Sequence, residues 1–505
     1  MKEIMDYWSL KDKTPRESQM RCLEAISEAF ESYDNVILEA GVGIGKSAIA
    51  TTLANKLMSS YIITMTNQLQ NQYLHDFSNL YNIKGRSNYK CLHGGTCNSC
   101  HKEKHDDEKC YNCPYLSAVE QMKSEMQVLT NYDYLYFAGN FANHFIQKEL
   151  VVFDEAHNFE KKMMSLVSQS LNRRDIFKRY EFDIFEPIMK RKPLKSLDKK
   201  YWGEIIEKCI DKENMIFCEN KAEEKKHKML LAKYKKMAKI IDDYLMELPL
   251  KKDILADKDI SSKSLRIIIK PLKITDESRD LFKFGRKKLF MTGTLGNKDK
   301  FCEWIGLDSE DTFYHYEKSP FPIQNRHIYP MCVYSMKQGK WQNSGLIRVI
   351  KKIINDHKGK KGVIHTSSNQ QAWWIKKNLN SNKIWVAQGK TREDTIKKFE
   401  ESATDLVLIG AGIKDGVDFN DDKCRFQILF KIPFPSLADE PVKQRKRLDK
   451  SWYIYQTVMP LMQSYGRGVR NENDTCDYYI LDRDFKDILN DYKYFFNEYF
   501  LEAII

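Results

Sequence analysis

Short apolar runs alternate with amphipathic segments along most of the chain, and polar turns separate the two. Such apolar runs predict buried strands, whereas apolar residues at helical spacing predict helices. Regular alternation of the two predicts parallel sheets covered by helices on both faces. The predicted strands are 36–39, 61–65, 150–153, 265–269 and 288–291, then 362–366, 384–386, 406–409, 427–430 and 478–481. The pattern therefore predicts an α/β fold with two parallel sheets.

Two stretches interrupt the alternation that forms the first sheet. Residues 85–118 are rich in cysteine and precede a predicted helix around 119–129. Residues 159–264 carry dense charge and few apolar runs, and their apolar side chains fall at helical spacing, which predicts a helical insert. The expected division is a first domain of residues 1–84, 119–158 and 265–325, interrupted by these two inserts, and a second domain of residues 326–505.

The first strand leads directly into a glycine-rich turn and then a helix. The turn comprises Ala40, Gly41, Val42, Gly43, Ile44, Gly45, Lys46 and Ser47. Amides of such a turn can point at nucleotide phosphates, the lysine can reach the outer phosphates, and the serine can hold Mg²⁺. A simple chain reversal is the alternative, but the preceding strand and the Lys-Ser pair favour an ATP site. On the helix before the turn, Gln19 could contact an adenine edge; an ordinary solvated glutamine is the alternative.

Two acids follow the buried strand 150–153. They are Asp154 and Glu155, and together with Ala156 and His157 they form a four-residue acidic box. Paired acids at the end of a strand suit metal-assisted hydrolysis of a phosphoanhydride, with Asp154 holding Mg²⁺ and Glu155 orienting or deprotonating water. A helix cap is the alternative explanation of the pair. The phosphate-binding turn upstream favours the catalytic interpretation, in which His157 takes part.

The second sheet offers cationic side chains for the same site. Arg467 and Arg470 are three residues apart and are expected on one helical face, from which they could enter the ATP site and neutralise charge on the γ-phosphate. Gln463 precedes them in the same run, and surface salt bridging is the alternative for the arginines. A glycine-rich turn at 410–419 contains Asp418 and could couple the nucleotide site to a bound strand.

Composition and charge favour an anionic partner. The 505 residues include 82 Lys+Arg and 70 Asp+Glu, giving a formal charge of +12. Basic proteins of this kind often bind nucleic acid, although many are simply soluble. No apolar run is long enough to span a bilayer, and the first residues lack a signal-peptide core, so we expect a cytoplasmic or nucleoid-associated protein without membrane partners. Five of the twelve cysteines lie between residues 91 and 113, which indicates a local metal site rather than a disulfide framework.

Taken in order, these motifs resemble those of superfamily 2 helicases. The matching segments are the turn beginning at Ala40, the box from Asp154 to His157, Thr292-Gly293-Thr294, Gly416-Val417-Asp418-Phe419, and the run from Gln463 to Arg470. The cysteine-rich and helical inserts resemble, more narrowly, the XPD/DinG group of iron–sulfur helicases. The segment 432–435, followed by a basic stretch, is similar to the DinG side of that group.

The resemblance implies two RecA-like motor domains that hydrolyse ATP with Mg²⁺ and translocate along single-stranded DNA. It also implies 5′→3′ movement, forked or tailed duplex DNA as the substrate, and a helical arch that frames a pore together with the cysteine-rich insert. We expect the protein to act as a monomer. Two alternatives stay open: a nucleic-acid-stimulated ATPase that remodels complexes without unwinding, and a metal-stapled binding module with a switch-like nucleotide site.

The same resemblance implies a [4Fe–4S] cluster held by four cysteines. Cys91 fits the first ligand, and Cys113, which is followed by Pro-Tyr, fits the last. Cys97 and Cys100 are favoured for the middle positions, and Cys110 could replace either. Four thiolates also suit tetrahedral zinc, and three nearby histidines keep zinc open as the alternative metal.

Overall fold

The structure is a computed structural model that describes residues 2–99, 112–182, 199–219, 224–246, 266–336, 340–412, 419 and 421–505. Its strands are β1 (Asn35–Ala40), β2 (Ser60–Thr64), β3 (Tyr81–Asn82), β4 (Gln127–Asn131), β5 (Lys148–Phe153), β6 (Gln169–Asn172), β7 (Arg266–Ile269), β8 (Gly285–Thr292), β9 (Thr312–Glu317), β10 (Ile328–Tyr329), β11 (Gly362–Thr366), β12 (Ile384–Val386), β13 (Val407–Ala411), β14 (Phe426–Leu429) and β15 (Asp477–Ile480).

The helices of the described ranges fill the connections between these strands. They are α1 (Lys2–Met5), α2 (Glu17–Ser32), α3 (Lys46–Leu57), α4 (Asn67–Asp76), α5 (Pro114–Ser124), α6 (Tyr132–Ala142), α7 (Phe159–Val167), α8 (Arg173–Tyr180), α9 (Lys199–Glu219), α10 (Glu224–Met246), α11 (Arg279–Phe282), α12 (Lys298–Ile305), α13 (Ser344–Asp356), α14 (Asn369–Leu379), α15 (Arg392–Glu401), α16 (Glu440–Leu448), α17 (Lys450–Tyr465), α18 (Asp484–Asp491) and α19 (Glu498–Leu501). None of them is both long enough and apolar enough to cross a bilayer.

The first domain is built on a seven-stranded parallel sheet in the order β3-β4-β2-β5-β8-β1-β9. Successive side chains of a strand point to opposite faces, and here both faces are buried. In β1, Ile37 packs into one apolar core while Val36 and Leu38 pack into the other. The prediction of a parallel sheet covered on both faces is therefore confirmed. Strands β5, β8 and β1 are neighbours, so their carboxyl ends lie side by side at one edge of the sheet.

The second domain has a six-stranded parallel sheet in the order β10-β15-β14-β11-β13-β12. The same alternation buries it on both faces, since Val363 and Ile364 of β11 enter different cores. The α/β architecture with two parallel sheets is therefore confirmed for the described residues.

The structure corrects two local predictions. The helix expected around 119–129 ends at Ser124, and the next residues form β4, which pairs in parallel with β2 and β3. Val128 and Leu129 are fully buried in the sheet. This burial favours a strand over continuation of the preceding helix. The strand expected at 265–269 does form as β7, but it pairs antiparallel with β6 in a separate two-stranded sheet rather than joining the domain's main sheet.

The helical insert is held by buried ion pairs as well as apolar packing. Glu213 of α9 is fully buried and accepts from Nε of Arg179 at 2.7 Å and from the hydroxyl of Tyr180 at 2.5 Å. His227 of α10 lies 2.5 Å from the same carboxylate. Hydrogen bonds and charge partners of this kind offset the cost of burying a carboxylate, so they tie α8, α9 and α10 together.

Candidate active site

The turn after β1 takes the backbone shape that its glycines allow. Gly43 and Gly45 have φ angles of 90° and 85°, in the left-handed region that side chains rarely adopt. A Cβ on Gly43 would also lie 2.3 Å from the ring of Phe321, so the turn is closely packed. Helix α3 begins directly after Gly45, and its N-terminus is therefore presented to whatever occupies the turn.

Contacts from outside the turn fix its position. The chain before β1 and the segment after β9 supply the donors, and each bonds a carbonyl of the turn. These bonds are Ser319 Oγ to Val42 O (2.9 Å), Arg16 Nη1 to Gly43 O (2.6 Å) and Gln19 Nε2 to Ile44 O (2.9 Å). The amide of Gly41 in turn donates to Glu317 O at 3.1 Å. The turn is thus held from two sides before any ligand binds.

Gln19 serves this bracing role in the structure. Its amide nitrogen bonds Ile44, and its Oε1 accepts from the amide of Arg16 at 2.8 Å. A Cβ on Gly45 would lie 2.5 Å from Nε2 of Gln19. The side chain therefore packs on the turn itself, and its contact with an adenine edge stays a prediction.

Lys46 lies where the strand ends converge. Its Nζ donates to the carbonyl of Ala40 at 3.2 Å, at the end of β1. A Cβ on Gly293, just past β8, would be 3.5 Å from the same amine. The ammonium group is therefore held at the carboxyl edge of the sheet, where ligands of open α/β sheets bind.

Asp154 is buried at the same edge, at the end of β5. Its Oδ2 accepts from the hydroxyl of Tyr73 at 3.1 Å, and its Oδ1 accepts from the amide of Glu155 at 2.9 Å. Burial raises the pKa of Asp154 to about 6, the charge of Glu155 acts in the same direction, and Lys46 opposes it. A buried carboxylate beside a second acid favours a bound cation, so these residues fit Mg²⁺.

Tyr73 is a site residue that the sequence analysis missed. It lies on α4, is almost fully buried, and bonds Asp154, while the side chain of Ser47 also reaches its hydroxyl. It thereby connects the two residues expected to hold Mg²⁺. Its sequence context is an amphipathic helix, in which a buried tyrosine is indistinguishable from a core residue.

Glu155 has a left-handed backbone with φ of 53°, although it is not a glycine. Such a conformation costs about 1 to 3 kcal/mol and persists where the surrounding structure enforces it, often at functional sites. The carboxylate of Glu155 lies 3.4 Å from Nδ1 of His157 and is more exposed than that imidazole. The less buried acid is therefore the one placed to meet water.

His157 connects the box to the end of β8. Asn158 Nδ2 donates to its Nε2 at 2.6 Å, and the hydroxyl of Thr292 donates to Thr294 O at 2.8 Å. The remaining contact, 2.8 Å between Nδ1 and Thr292 Oγ1, then assigns the imidazole proton to Nδ1. Burial lowers the pKa of His157, and the nearby positive charges act in the same direction, which favours this neutral form.

The second domain reaches the phosphate-binding turn directly. A Cβ on Gly466 would lie 3.5 Å from Cγ2 of Val42, and Val42 packs against an apolar cluster of the second domain that contains Val469. The charge of Arg467 contributes to lowering the pKa of His157, so the guanidinium acts on the first domain's site. The amide of Arg470 is bonded to Asp474 at 3.1 Å.

The expectation that both arginines lie on one helical face is wrong. Helix α17 ends at Tyr465, and Arg467 follows in a turn and Arg470 in a segment without regular secondary structure. Gly468 packs too closely for a side chain, since a Cβ there would be 2.6 Å from Nε2 of Gln427. Gln463 is half-buried in the last turn of α17. Asp418 lies outside the described residues.

Three of the five insert cysteines are described. Sγ of Cys97 lies 3.9 Å from Sγ of Cys113, and the charge of Cys91 acts on Cys97. Burial raises the pKa of Cys113, but the amides of Leu116 and Tyr115 and its other partners outweigh burial, so the net shift is downward. Converging thiols with one stabilised thiolate fit a metal centre. Cys100 and Cys110 lie outside the described residues.

Two protein-family models match the chain. One, described as the helicase C-terminal domain, matches residues 351–500. The other, described as the res subunit of type III restriction enzymes, matches residues 12–181. The first match contains helix α17 and the two arginines that follow it, and the second contains the phosphate-binding turn and the acidic box.

Curated relatives match over nearly the full chain at low identity. A probable ATP-dependent helicase of Methanocaldococcus jannaschii is 23% identical over 95% of this chain and 93% of its own. The ATP-dependent DNA helicase YoaA of Haemophilus influenzae is 20% identical over 94% of this chain and 93% of its own. Both alignments therefore include the two domains and the inserts.

Solved structures show the same fold. The structure titled S. tokodaii Xpd4 superimposes with a TM-score of 0.60 at 16% identity, covering 97% of this chain and 99% of that one. A structure titled XPD helicase has a TM-score of 0.61 at 16% identity, covering 94% and 96%. The arrangement of two parallel-sheet domains is thus shared across the whole chain.

Proposed function

This chain belongs to the XPD/DinG-type helicases of superfamily 2, and from that premise we propose that it unwinds DNA by moving 5′→3′ along one strand. It is an ATP-hydrolysing helicase, and the polarity and the choice of DNA are the proposed refinements. One observation supports a motor above all: the site is split, with Lys46 and Asp154 on one domain and Arg467 supplied by the other. A split site makes hydrolysis depend on domain position.

In the proposed reaction, ATP binds with its phosphates on the turn and the N-terminus of α3, and Lys46 contacts the outer phosphates. Ser47 and Asp154 hold Mg²⁺, which supplies charge neutralisation on the phosphate oxygens. Glu155 orients the attacking water and accepts its proton. Arg467 approaches the γ-phosphate and stabilises the charge that develops there, with Gln463 and Arg470 positioning the segment from the second domain.

A contact beyond the site supports coupling of hydrolysis to domain movement. Glu160 lies in the first turn of α7, just after the acidic box, and is buried against the second domain. Its Oε2 accepts from Nε1 of Trp452 at 2.8 Å and from Gln456 at 3.2 Å, while Arg445 lies 2.5 Å from its Oε1. Glu155 and His157 therefore lie a few residues from an interdomain hydrogen-bond network. We propose that structural changes at these two residues during hydrolysis move the second domain through this network.

A cavity beside this network suits part of a nucleic-acid strand. It has a volume of about 590 Å³ and lies between the root of the helical insert and the second domain. Lys161 and Lys270 line it from one side and Trp452 from the other. Ammonium groups suit backbone phosphates and an indole suits base stacking, so we propose that single-stranded DNA passes here.

For the cysteine-rich insert we propose a [4Fe–4S] cluster held by Cys91, Cys97, Cys100 and Cys113, with Cys110 as the alternative middle ligand. The converging described thiols support a metal centre, and the family supports iron and sulfide. Anaerobic purification followed by iron, sulfide and zinc analysis tests this. Four irons and four sulfides per chain are expected, whereas stoichiometric zinc without sulfide contradicts the cluster.

The proposed function is tested by ATP turnover with and without single-stranded DNA. Wild type should turn over ATP faster with DNA, and Glu155→Gln should bind ATP but lose turnover because the water is no longer activated. Glu310→Gln, an exposed acid on the same domain, serves as the matched control and should resemble wild type. An ATP turnover rate that is the same with and without DNA would contradict the helicase proposal. Stimulation by DNA without duplex unwinding would instead support the nucleic-acid-stimulated ATPase that remodels complexes.

A further inference from the structure

Three potential metal ligands meet outside the ATP site, between helix α2 and the edge strand β9. They are Cys22, His315 and Glu317, and their donor atoms all lie within 4.8 Å of one another. Cys22 is fully buried, Glu317 is nearly so, and His315 is partly exposed. None of these side chains takes part in the catalytic arrangement described above.

The fold itself produces this cluster. His315 and Glu317 are two residues apart on β9, so strand alternation places both side chains on one face of the sheet. Helix α2 covers that face and buries Cys22 there. The intervening Tyr316 and the preceding Tyr314 belong to the opposite face, where Tyr314 bonds Glu39 at 2.8 Å.

Two of the donor distances lie within or just beyond the spacing of zinc ligands. Oε2 of Glu317 lies 3.4 Å from Nε2 of His315 and 4.0 Å from Sγ of Cys22. Ligands around a tetrahedral zinc are about 3.3 to 3.8 Å apart, given metal–ligand bonds of about 2.0 to 2.3 Å. Nε2 of His315 is buried and makes no hydrogen bond among the described residues. A buried ring nitrogen without a hydrogen bond is costly unless something else binds it.

We propose that Cys22, His315 and Glu317 form a second metal site, one that binds Zn²⁺ through one sulfur, one nitrogen and one oxygen. Thiolate, imidazole and carboxylate are the three ligand types that zinc accepts together, and two anionic ligands balance its charge. Three protein ligands leave the fourth position of a tetrahedral site to water. The proposal does not depend on the helicase function.

Arg21 is the competitor for this site. Its Nη2 donates to Oε1 of Glu317 at 2.6 Å, and its Nε lies 3.4 Å from Oε2. The guanidinium is exposed and can move into solvent, whereas the three ligands are fixed by the sheet and helix. Zinc and Arg21 therefore share the carboxylate of Glu317, and removing the guanidinium should strengthen zinc binding.

The site lies directly behind the phosphate-binding turn. The carbonyl of Glu317 accepts from the amide of Gly41, and helix α2 also carries Gln19, which holds the turn at Ile44. A metal that joins α2 to β9 therefore braces both supports of the turn. Its structural effect should be zinc-dependent thermal stability of the first domain.

The test measures metal on the full-length protein purified with zinc supplied. Zinc, iron and sulfide are counted in wild type, in Cys22→Ser, and in Cys302→Ser, an equally buried cysteine of the same domain. Wild type and Cys302→Ser should each contain one zinc more than Cys22→Ser, whatever the insert holds. Cobalt substitution should give a thiolate-to-metal charge-transfer band. The band should be weaker in Cys22→Ser than in wild type and unchanged in Cys302→Ser.

Two further variants keep the test decisive if Cys22→Ser folds poorly. His315→Gln alters a partly exposed side chain and should weaken zinc binding at least tenfold, and Arg21→Gln should tighten it severalfold. The zinc-induced rise in melting temperature should follow the same order. Equal zinc content and equal zinc affinity in wild type and His315→Gln would overturn the proposal. So would an Arg21→Gln variant that binds zinc no more tightly than wild type.

Discussion

The two sides of the proposed nucleotide site are built differently. On the first domain, the turn is braced by Arg16, Gln19 and Ser319, and Asp154 is held by two hydrogen bonds. On the second domain, Arg467 follows the end of helix α17, in a turn beside Gly466. The first side is held by hydrogen bonds within one domain, whereas the second depends on where the other domain lies.

This difference assigns different tasks to the two sides. A preorganised turn and a buried acid can bind ATP and Mg²⁺ without rearrangement, which favours affinity. A cation that arrives with another domain can act when the charge on the γ-phosphate develops, which favours rate. The comparison predicts that mutations of the groups that hold ATP, such as Lys46, impair binding and turnover together, whereas mutation of Arg467 impairs turnover alone.

The largest expected effect is that of Lys46→Ala. Loss of the ammonium group at the strand ends should weaken ATP binding and reduce turnover about a hundredfold to a thousandfold, because outer-phosphate charge is left uncompensated. Steady-state ATP turnover and nucleotide titration measure the two effects. Lys56→Ala, in the last turn of the same helix, is the control and should leave both unchanged. Normal ATP turnover in Lys46→Ala would contradict the assignment of this turn to the ATP site.

The arginine side should respond differently. Arg467→Ala should reduce kcat about a hundredfold while ATP affinity stays within a factor of about two, because its contact forms in the transition state. Arg483→Ala changes an exposed arginine of the same domain and serves as the control. A matching loss of ATP affinity in Arg467→Ala would erase the distinction between the two sides.

The buried acid predicts a pH dependence for Mg²⁺. Its pKa of about 6 means that Asp154 is ionised above that pH and protonated below it. Mg²⁺ affinity should therefore be constant above pH 6 and fall about tenfold per pH unit below, since the metal must displace a proton. Mg²⁺ titrations from pH 5 to pH 8 measure this, and Asp154→Asn should abolish the dependence. A flat profile in wild type would contradict the buried-acid description.

The smallest expected effect is that of Tyr73→Phe. The hydroxyl lowers the pKa of Asp154 by donating to it, so its loss should move the acid limb of the Mg²⁺ profile upward and raise the Mg²⁺ requirement severalfold. ATP affinity without Mg²⁺ should not change. Tyr33→Phe, at the end of α2, is the control. An unshifted acid limb would show that Tyr73 only fills space.

Sequence patterns predicted the first side well because its chemistry is local. A strand, glycines and a lysine within a dozen residues are sufficient to indicate the turn, and two acids after an apolar run indicate the second component. Tyr73 could not be found this way, since its role depends on α4 being placed against β5. The helix predicted around 119–129 failed because burial between β2 and β3 decides the conformation of Val128 and Leu129.

The second side was predicted in composition but not in conformation. The spacing of Arg467 and Arg470 fits one face of a helix, yet Gly468 between them packs where no side chain fits. Close approach to Gln427 and Val42 is a tertiary property that spacing does not reveal. The ligand cluster is similar, because nearly three hundred positions in the sequence separate Cys22 from His315 and Glu317.

The most direct test of the helicase proposal is unwinding of duplexes that carry a single-stranded tail on either the 5′ or the 3′ side. With ATP and Mg²⁺, the wild-type protein should separate the 5′-tailed duplex and leave the 3′-tailed duplex intact, and Glu155→Gln should separate neither. Unwinding of the 3′-tailed duplex alone would contradict the proposed polarity. Failure on both substrates, with DNA-stimulated ATP turnover intact, would contradict strand separation itself.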